Sequence, residues 1–408
     1  MSVNLFNANF YRAANSDLAG LNDAEALSHF QNNGLTEGRA FSPFANLNFY
    51  RSSNSDLASL NNQQAFEHLQ NVGVAEGRRF SQFGDINYYL GANPDISQAV
   101  AGNRERALEH LRDYGVNEGR NFSPFVSNLT YYLSVNPDIS QAVAGNRERA
   151  LEHLQNYGVN EGRNFSPFVS LTYYLGVNLD VNQTSGGNRA RALEHLEING
   201  VAEGRSFSPF IDLSYYLSNN PDVNQAFGSD RTLVLEHLEN NGLDEGRRFS
   251  PAFDVNFYRN TYPNLREAGL TTNRQLFEHW LNYGAFSEGR SGTPDPGNSL
   301  NNALNLGSPA NSATFFNDFV NSTDSNDYYR FTLNESRTLV TELFRQTAGL
   351  DVTLLDNNGN LIKSLSSNAS PRNLVNSSTL SPGTYFIRVI QSTSATPSNY
   401  TLGVGVLP

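Results

Sequence analysis

The chain has 408 residues, which is too long for one ordinary core and suggests two or three. A formal net charge of −12 argues against a general grip on nucleic acid phosphates, so no nucleic acid partner is expected. The sequence contains no cysteine, which excludes disulfides, thiolate metal sites and cysteine nucleophiles.

The chain begins MSVNLFNANFYRAANSDLAG, with neither a basic start nor an apolar run, so a standard cleavable secretion signal is not expected. No stretch approaches the roughly 20 apolar residues of a membrane helix. We therefore predict no membrane-spanning segment.

One sequence motif recurs seven times before residue 291, and its third copy is ALEHLRDYGVNEGR. Successive copies place their single histidine 39 to 43 residues apart, and a Glu-Gly-Arg triplet follows each histidine. This regularity predicts an array of seven helical repeats over residues 5–291. The histidines are His29, His68, His110, His153, His195, His237 and His279, and the triplets begin at Glu37, Glu76, Glu118, Glu161, Glu203, Glu245 and Glu288.

Copy three, residues 83–125, indicates the plan of one repeat. After an aromatic lead-in, Asn93-Pro94 is expected to start a short helix over Ile96–Val100, with Asn93 as its N-cap. A second helix is predicted from about Arg104 to Tyr114, and Gly115 is expected to end it in the left-handed conformation.

The predicted second helix carries an apolar stripe about 120° wide, formed by Ala107, Leu108, Leu111 and Tyr114. A pair of helices with one apolar face is too small to bury that face alone. Stacking successive copies side by side solves this problem, so we predict an α-helical solenoid.

The histidine and the triplet of each copy are predicted to stabilise contacts between repeats. A half-buried histidine that hydrogen-bonds the connector or the next copy is favoured over a metal ligand, because helices packed about 10 Å apart keep successive histidines from sharing one ion. For the triplet, an ion pair between copies is favoured over a binding ladder along one face. The predicted repeat-interface residues are His110, Glu118, Arg120, His153, Glu161 and Arg163.

The recurring pattern YYL, NPD, EH, EGR and FSP resembles repeats of about 42 residues found in exported proteins of cyanobacteria and related bacteria. That resemblance covers about residues 5–291 and implies no defined activity. The tyrosine pairs, such as Tyr131-Tyr132, suggest core packing more than stacking on sugars.

Residues 292–299, Gly-Thr-Pro-Asp-Pro-Gly-Asn-Ser, are a linker by composition. Beyond them, short β-type runs separated by turns predict a small β-sandwich over residues 300–408. The runs are Tyr328–Leu333, Thr338–Phe344, Val352–Leu355, Asn360–Leu365 and Thr384–Ile390.

Four elements of this part resemble, in order, the bacterial pre-peptidase C-terminal (PPC) domain. They are the D-x-D-x-Y-x-F-like entry Asp324–Phe331, the hairpin Leu354–Asn360, the strand Pro382–Val389 and the closing strand Tyr400–Leu402. The resemblance implies a jelly-roll-like sandwich carried by secreted bacterial proteins. The expected fold class is therefore multidomain, α plus β: a seven-repeat helical solenoid followed by a small jelly-roll-like β-sandwich.

Calcium is the one metal ion that the sequence suggests. Asp324, Asp327 and Asp356, with Asn357 and Asn358, offer the hard oxygen ligands that calcium prefers. Turn formation is the alternative role of these residues. No other cofactor is expected.

No nucleophile elbow, phosphate-binding loop, dinucleotide fingerprint or zinc-protease helix motif occurs, so we do not expect an enzyme. We expect an extracellular or cell-surface structural protein, exported without a standard cleavable signal, that assembles with itself into a filament, sheath or surface layer. The alternative is a soluble, repeat-based binding module for polysaccharide or a partner protein.

Overall fold

The computed structural model describes residues 4–126, 128–228, 230–285, 287–309, 311, 313–344, 346–366, 374–392 and 397–407. The chain divides into two compact units, Met1–Arg205 and Ser206–Pro408. This division falls inside the repeat array, whereas the sequence suggested a boundary at residues 292–299. That segment is partly buried: Thr293 is 3% exposed, and the carbonyl oxygen of Gly297 accepts the N–H of Tyr328.

Each copy contains three helical segments rather than the predicted pair. The aromatic lead-in is itself a helix, started by a side-chain cap: in copy three, Asp85 accepts the N–H groups of Asn87 and Tyr88. The buried aromatic residues of this helix make it the core-facing element of the copy. The first helices are Ala8–Ala14, Leu47–Ser53, Ile86–Ala92, Leu129–Val135, Leu171–Val177, Leu213–Asn219 and Val255–Thr261.

A short second segment follows at once. It is a 3₁₀ turn at Ser16–Leu18 and Ser55–Leu57, and an α-helix at Pro94–Ala99, Pro137–Ala142, Leu179–Ser185, Pro221–Phe227 and Asn264–Glu267. Asn93 precedes Pro94 as predicted, but its side chain does not cap this helix. The buried Asn93 amide instead donates to the carbonyl oxygens of Tyr89 (2.8 Å) and Asn121 (2.9 Å), which joins the first helix to the connector.

The third helices are Asp23–His29, Asn62–His68, Arg104–His110, Arg147–His153, Arg189–His195, Arg231–His237 and Asn273–His279. Each ends at the histidine and continues into a π-helical turn: Phe30–Gly34, Leu69–Gly73, Leu111–Gly115, Leu154–Gly158, Leu196–Gly200, Leu238–Gly242 and Trp280–Gly284. In copies one to four a further α-turn follows, at Leu35–Glu37, Val74–Glu76, Val116–Glu118 and Val159–Glu161.

The π-helical turn changes which side chains face the core. A π turn holds more residues than an α turn, so the helix phase slips and the predicted apolar stripe is broken. Tyr114 was predicted to face the core but is 62% exposed, and Val116 is buried in its place. Gly115 is right-handed, with φ −58°, and Gly119 is the left-handed residue, with φ 73°.

A tyrosine from the first helix meets the histidine of the third helix in every copy. In copy three, the buried Tyr89 hydroxyl lies 2.8 Å from His110 Nδ1. Burial raises the pKa of Tyr89 to about 12, so the hydroxyl keeps its proton at neutral pH, and the tautomer of His110 determines which of the two groups donates. The other pairs are Tyr11–His29, Tyr50–His68, Tyr132–His153, Tyr174–His195, Tyr216–His237 and Tyr258–His279, with distances of 2.7 to 2.9 Å.

In copies three to five, the arginine that begins the third helix joins its copy to the preceding one. Arg104, Arg147 and Arg189 each donate to a carbonyl oxygen of the preceding copy, at Ala75 (3.2 Å), Asn117 (3.0 Å) and Asn160 (3.4 Å). These carbonyls lie in the last turn before the preceding Glu-Gly-Arg triplet. The arginine therefore ties the start of one copy to the end of the copy before it.

The first unit also contains contacts between copies that are not neighbours. They use the residue two positions after each histidine, which is Arg112, Gln155 and Glu197 in copies three, four and five. Arg112 donates to the carbonyl oxygen of Asn4 (2.8 Å), and Gln155 Nε2 donates to that of Pro43 (2.6 Å). Glu197, whose side chain is 0% exposed, accepts from Arg79 at 3.1 Å. Side-by-side stacking alone therefore does not describe this array.

The described strands of the second unit form two sheets. The strands are β1 Leu304–Asn305, β2 Thr314–Val320, β3 Asn326–Leu333, β4 Arg337–Phe344, β5 Leu350–Leu355, β6 Leu361–Ser366, β7 Leu374–Leu380, β8 Gly383–Gln391 and β9 Ser398–Leu407. One sheet has the order β1-β3-β8-β5-β6 and the other β2-β9-β4-β7. Alternate residues of β3 are buried, including Tyr329 and Phe331, and Ile387 of β8 is buried as well, each 0% exposed. The predicted fold class, α plus β with a C-terminal β-sandwich, is confirmed.

We predict that Gly115→Ala lowers the free energy of unfolding by about 2 kcal/mol, because overpacking a filled site strains its neighbours. A Cβ at this position would lie 2.4 Å from the Tyr89 hydroxyl oxygen. Gly91→Ala is the matched control, since a Cβ there meets nothing within 4 Å. The control should stabilise its helix by about 0.5 kcal/mol. Urea unfolding followed by circular dichroism measures both, and equal effects would refute the tyrosine contact.

We predict that Arg79→Ala destabilises the first unit by about 3 kcal/mol, because it leaves the buried Glu197 carboxylate without its partner. Arg106→Ala removes an exposed arginine from the third helix of copy three and should change the free energy of unfolding by less than about 0.5 kcal/mol. Thermal unfolding of the full chain compares the two variants. A loss no greater for Arg79→Ala would show that the contact is not energetically important.

Candidate functional site

The predicted repeat-interface residues all bind partners within their own copy. Arg120 forms ion pairs with Asp95 (2.8 Å) and with Glu118 (2.5 Å), and His110 binds Tyr89. In copy four, Arg163 pairs with Asp138 and Glu161, and His153 binds Tyr132. These contacts stabilise the individual repeat, and the side-chain hydrogen bonds between copies described above are made by other residues.

Arg104, Arg147 and Arg189, which are among the residues that join the copies, were not singled out from the sequence. A signal was present, because an Asn-Arg pair begins the third helix in copies three, four and five. The asparagine caps the helix, as Asn103 does by accepting the N–H of Arg106. The arginine that follows is then held at the helix start, facing the end of the preceding copy.

Three carboxylates of the second unit converge in one place. Asp295, Asp324 and Asp327 each offer an oxygen atom, and these atoms all lie within 4.8 Å of one another. Oxygen ligands of one calcium ion lie no more than about 4.8 Å apart, which is twice a bond of about 2.4 Å. Asp327 belongs to β3, Asp324 to the turn before it, and Asp295 to the segment predicted as a linker.

Asp327 has the strongest reason to bind a cation. It is 0% exposed, and its Oδ2 accepts the hydroxyl of Tyr400 (2.5 Å). Its other oxygen, Oδ1, is buried and has no hydrogen-bond partner among the described residues. A buried carboxylate oxygen without a partner is costly, so the residues present fit a hard cation that would bind it.

The electrostatics of the cluster also favour a cation. Burial, opposed by the Tyr400 hydrogen bond and reinforced by the neighbouring Asp324 and Asp295, raises the pKa of Asp327 to about 8. Burial and Asp324 raise the pKa of Asp295. The nearby Asp318 of β2 also has a pKa well above its usual value, through burial and the charge of Asp327. A divalent ion would relieve this mutual repulsion.

Asp324 and Asp327 are thus brought together as the sequence suggested, but Asp356 is not part of the cluster. Asp356 Oδ1 accepts the N–H groups of Asn358 (2.9 Å) and Asn360 (2.8 Å) within its own hairpin. These hydrogen bonds, with the one from the Asn360 side chain, lower the pKa of Asp356. Asp356 forms the turn, which was the alternative considered for it, and Asp295 takes its place.

Residues 325–391 match the family model of the bacterial pre-peptidase C-terminal domain, which confirms the resemblance of the C-terminal part. No curated protein matches the chain. The described residues contain no helix that is both long and apolar enough to cross a membrane.

Three solved structures give the extent of the structural likeness. The pre-peptidase C-terminal domain of collagenase from Bacillus anthracis is 16% identical over 24% of this chain and 91% of that chain, with a TM-score of 0.22. PliG, a periplasmic lysozyme inhibitor from Salmonella Typhimurium, is 12% identical over 25% and 97%, with a TM-score of 0.18. Carbohydrate-binding module CBM36 in complex with calcium and xylotriose is 15% identical over 22% and 78%, with a TM-score of 0.16.

We predict that calcium raises the unfolding temperature of the second unit. At a free calcium concentration a hundred times the Kd, the gain in stability is about 2.7 kcal/mol. Asp327→Asn should abolish this gain while leaving the calcium-free protein at least as stable, because a neutral amide replaces a carboxyl whose charged form is disfavoured by burial.

Differential scanning calorimetry with calcium and with chelator measures the effect. Asp356→Asn serves as the control, since Asp356 lies outside the cluster, and it should keep the calcium response. The same calcium response in Asp327→Asn as in the native chain would place the ion elsewhere.

Proposed function

We propose that the protein is a non-catalytic extracellular structural protein that assembles with copies of itself, and that calcium stabilises its β-sandwich. The observation that carries self-assembly is strand β6, which lies at one end of the five-stranded sheet. An end strand offers backbone N–H and C=O groups to a strand of another molecule. A head-to-tail contact of this kind that does not close on itself gives a fibre.

The exposed side chains of β6 support this role. Leu361 is 63% exposed and Ile362 is 42% exposed, so two aliphatic side chains face solvent on one end strand. A lysine on an end strand normally deters pairing. Here the ammonium of Lys363 donates to the carbonyl oxygen of Ser377 (2.9 Å), which ties it within the same molecule.

The contacts of the repeats support a non-catalytic role. Each of the seven histidines uses Nδ1 to bind a buried tyrosine of its own copy. The arginines of the triplets form ion pairs with carboxylates of their own copy. These groups therefore stabilise the repeat, and their charged atoms already have partners. The PPC match supports an extracellular location, because this domain is typical of secreted bacterial proteins.

A second candidate is a repeat-based binding module for polysaccharide or a partner protein. The observation that favours it is a pair of exposed tyrosines at one position of adjacent copies, Tyr114 (62% exposed) and Tyr157 (58% exposed). Tyrosine rings that face solvent offer flat apolar surface with a polar tip, which suits sugars and protein partners.

We predict that the purified chain forms filaments or sheets at millimolar calcium, visible by negative-stain electron microscopy. Leu361→Glu/Ile362→Glu should abolish them, because like charges on facing strands repel. Leu179→Glu is the control, since Leu179 is 70% exposed in the first unit and far along the chain from β6.

The outcome separates the two candidates. Monodisperse monomers at all salt and calcium concentrations, measured by light scattering, would exclude self-assembly. Saturable binding of a glycan or a partner protein by those monomers would establish the binding module instead.

A further inference from the structure

A cavity of about 210 Å³ lies in the first unit, between the connector after copy one and the π-helical turn of copy four. Its lining includes Phe10 and Phe83, which carry aromatic rings, and Ala40, which carries only a methyl group. Gln155 from copy four also lines it. Gln155 uses Nε2 to bind Pro43, while its Oε1 is buried and has no hydrogen-bond partner among the described residues.

The corresponding place one copy further along the chain is filled by an arginine. There the connector after copy two packs on copy five, and Arg79 stands where Ala40 stands in the copy before. Its guanidinium carbon lies 5.4 Å from the ring centre of Phe49 and 5.9 Å from that of Phe125. Phe49 and Phe125 hold the repeat positions of Phe10 and Phe83, the rings of the cavity.

The hydrogen-bond acceptors correspond in the same way. Arg79 donates through Nη1 to the carbonyl oxygen of Glu197 (2.8 Å) and through Nη2 to its carboxylate (3.1 Å). Gln155 holds the position of Glu197, so the cavity offers the same carbonyl and a side-chain oxygen in place of the carboxylate. Arg79 also lies 3.6 Å from the Asp85 carboxylate, whose repeat position is held by Asn46 beside the cavity. The copy with Ala40 has therefore kept the rings, has neutral side-chain oxygens in place of both carboxylates, and has lost the arginine.

We propose that this cavity binds a guanidinium group that belongs to another molecule, either a small compound or a second molecule of this protein. The group would lie between the rings of Phe10 and Phe83, as Arg79 lies between their counterparts, and would donate to Gln155 Oε1. Planar guanidinium ions stack on aromatic rings and present fixed pairs of donors, which an ammonium ion does not. The site is independent of self-assembly through β6 and stands or falls separately.

The electrostatic setting suits a cation. Arg39 lines the cavity, but it is paired with Asp17 and Glu37 and so brings no unpaired positive charge. The chain has a net charge of −12, which attracts cations from a distance. Gln155 is neutral, so the site is expected to bind more weakly than one built on a carboxylate, and this difference can be tested.

The experiment titrates the full chain with agmatine and L-arginine by isothermal titration calorimetry, with cadaverine as the ammonium control. Both guanidinium compounds should bind saturably, and cadaverine at least about tenfold more weakly. Gln155→Glu should tighten guanidinium binding about tenfold, because it restores the carboxylate found at Glu197. No saturable binding of either guanidinium compound overturns the proposal.

Ala40→Arg provides the competing occupant within the chain. It should abolish agmatine binding while leaving the unfolding temperature unchanged or higher, because it recreates the contact of Arg79. Ala99→Arg places the same side chain at an exposed helical position and should leave binding intact. Binding that survives Ala40→Arg would overturn the assignment, as would a neutral sugar such as xylose that binds as tightly as agmatine.

A second arm identifies the source of the guanidinium. Light scattering is repeated with and without saturating agmatine. A fall in the measured molecular mass with agmatine means that the native occupant is an arginine side chain of a second molecule of this protein. An unchanged mass with saturable binding means that the occupant is a small guanidinium compound.

Discussion

The repeat region depends on one buried hydrogen bond, between the tyrosine hydroxyl of the first helix and the histidine of the third. A buried hydroxyl without a partner is costly, so the histidine must lie at a fixed distance along its helix. The glycine five residues after the histidine follows from the same bond, because the hydroxyl occupies the space that a side chain would fill. The histidine, the glycine and the π-helical turn between them are therefore one device, and it recurs in all seven copies.

This device explains where the sequence-based account succeeded and where it did not. The number of copies and the start of the third helix at Arg104 could be read from the sequence. The exposure of Tyr114 could not, since an α-helical projection assumes a constant 3.6 residues per turn and the π-helical turn breaks that phase. The first helix was missed because its aromatic residues, such as Tyr88 and Tyr89, are buried on more than one face and leave no clear helical period.

The acidic cluster shows a similar division. Asp324 and Asp327 are three residues apart and were recognisable together. Asp295 lies about thirty residues earlier in a segment rich in proline and glycine, and only the folded chain brings it alongside. Strand β2 was missed for a related reason, since its partner β9 lies some eighty residues further along the chain and local pattern carries little information about such distant pairing. The turn at Asp356 could be predicted from the local sequence, because this residue binds groups no more than four residues away.

The residue two positions after each histidine varies between copies, and it makes a different contact in copies three, four and five. Arg112, Gln155 and Glu197 occupy one repeat position, yet each is matched to a different partner elsewhere in the first unit. Deleting or inserting a single copy would keep every tyrosine–histidine bond but would bring Glu197 opposite a residue other than Arg79. The order of the copies is therefore fixed by these specific contacts. A copy can be added or removed without loss only where no such contact spans the site of the change.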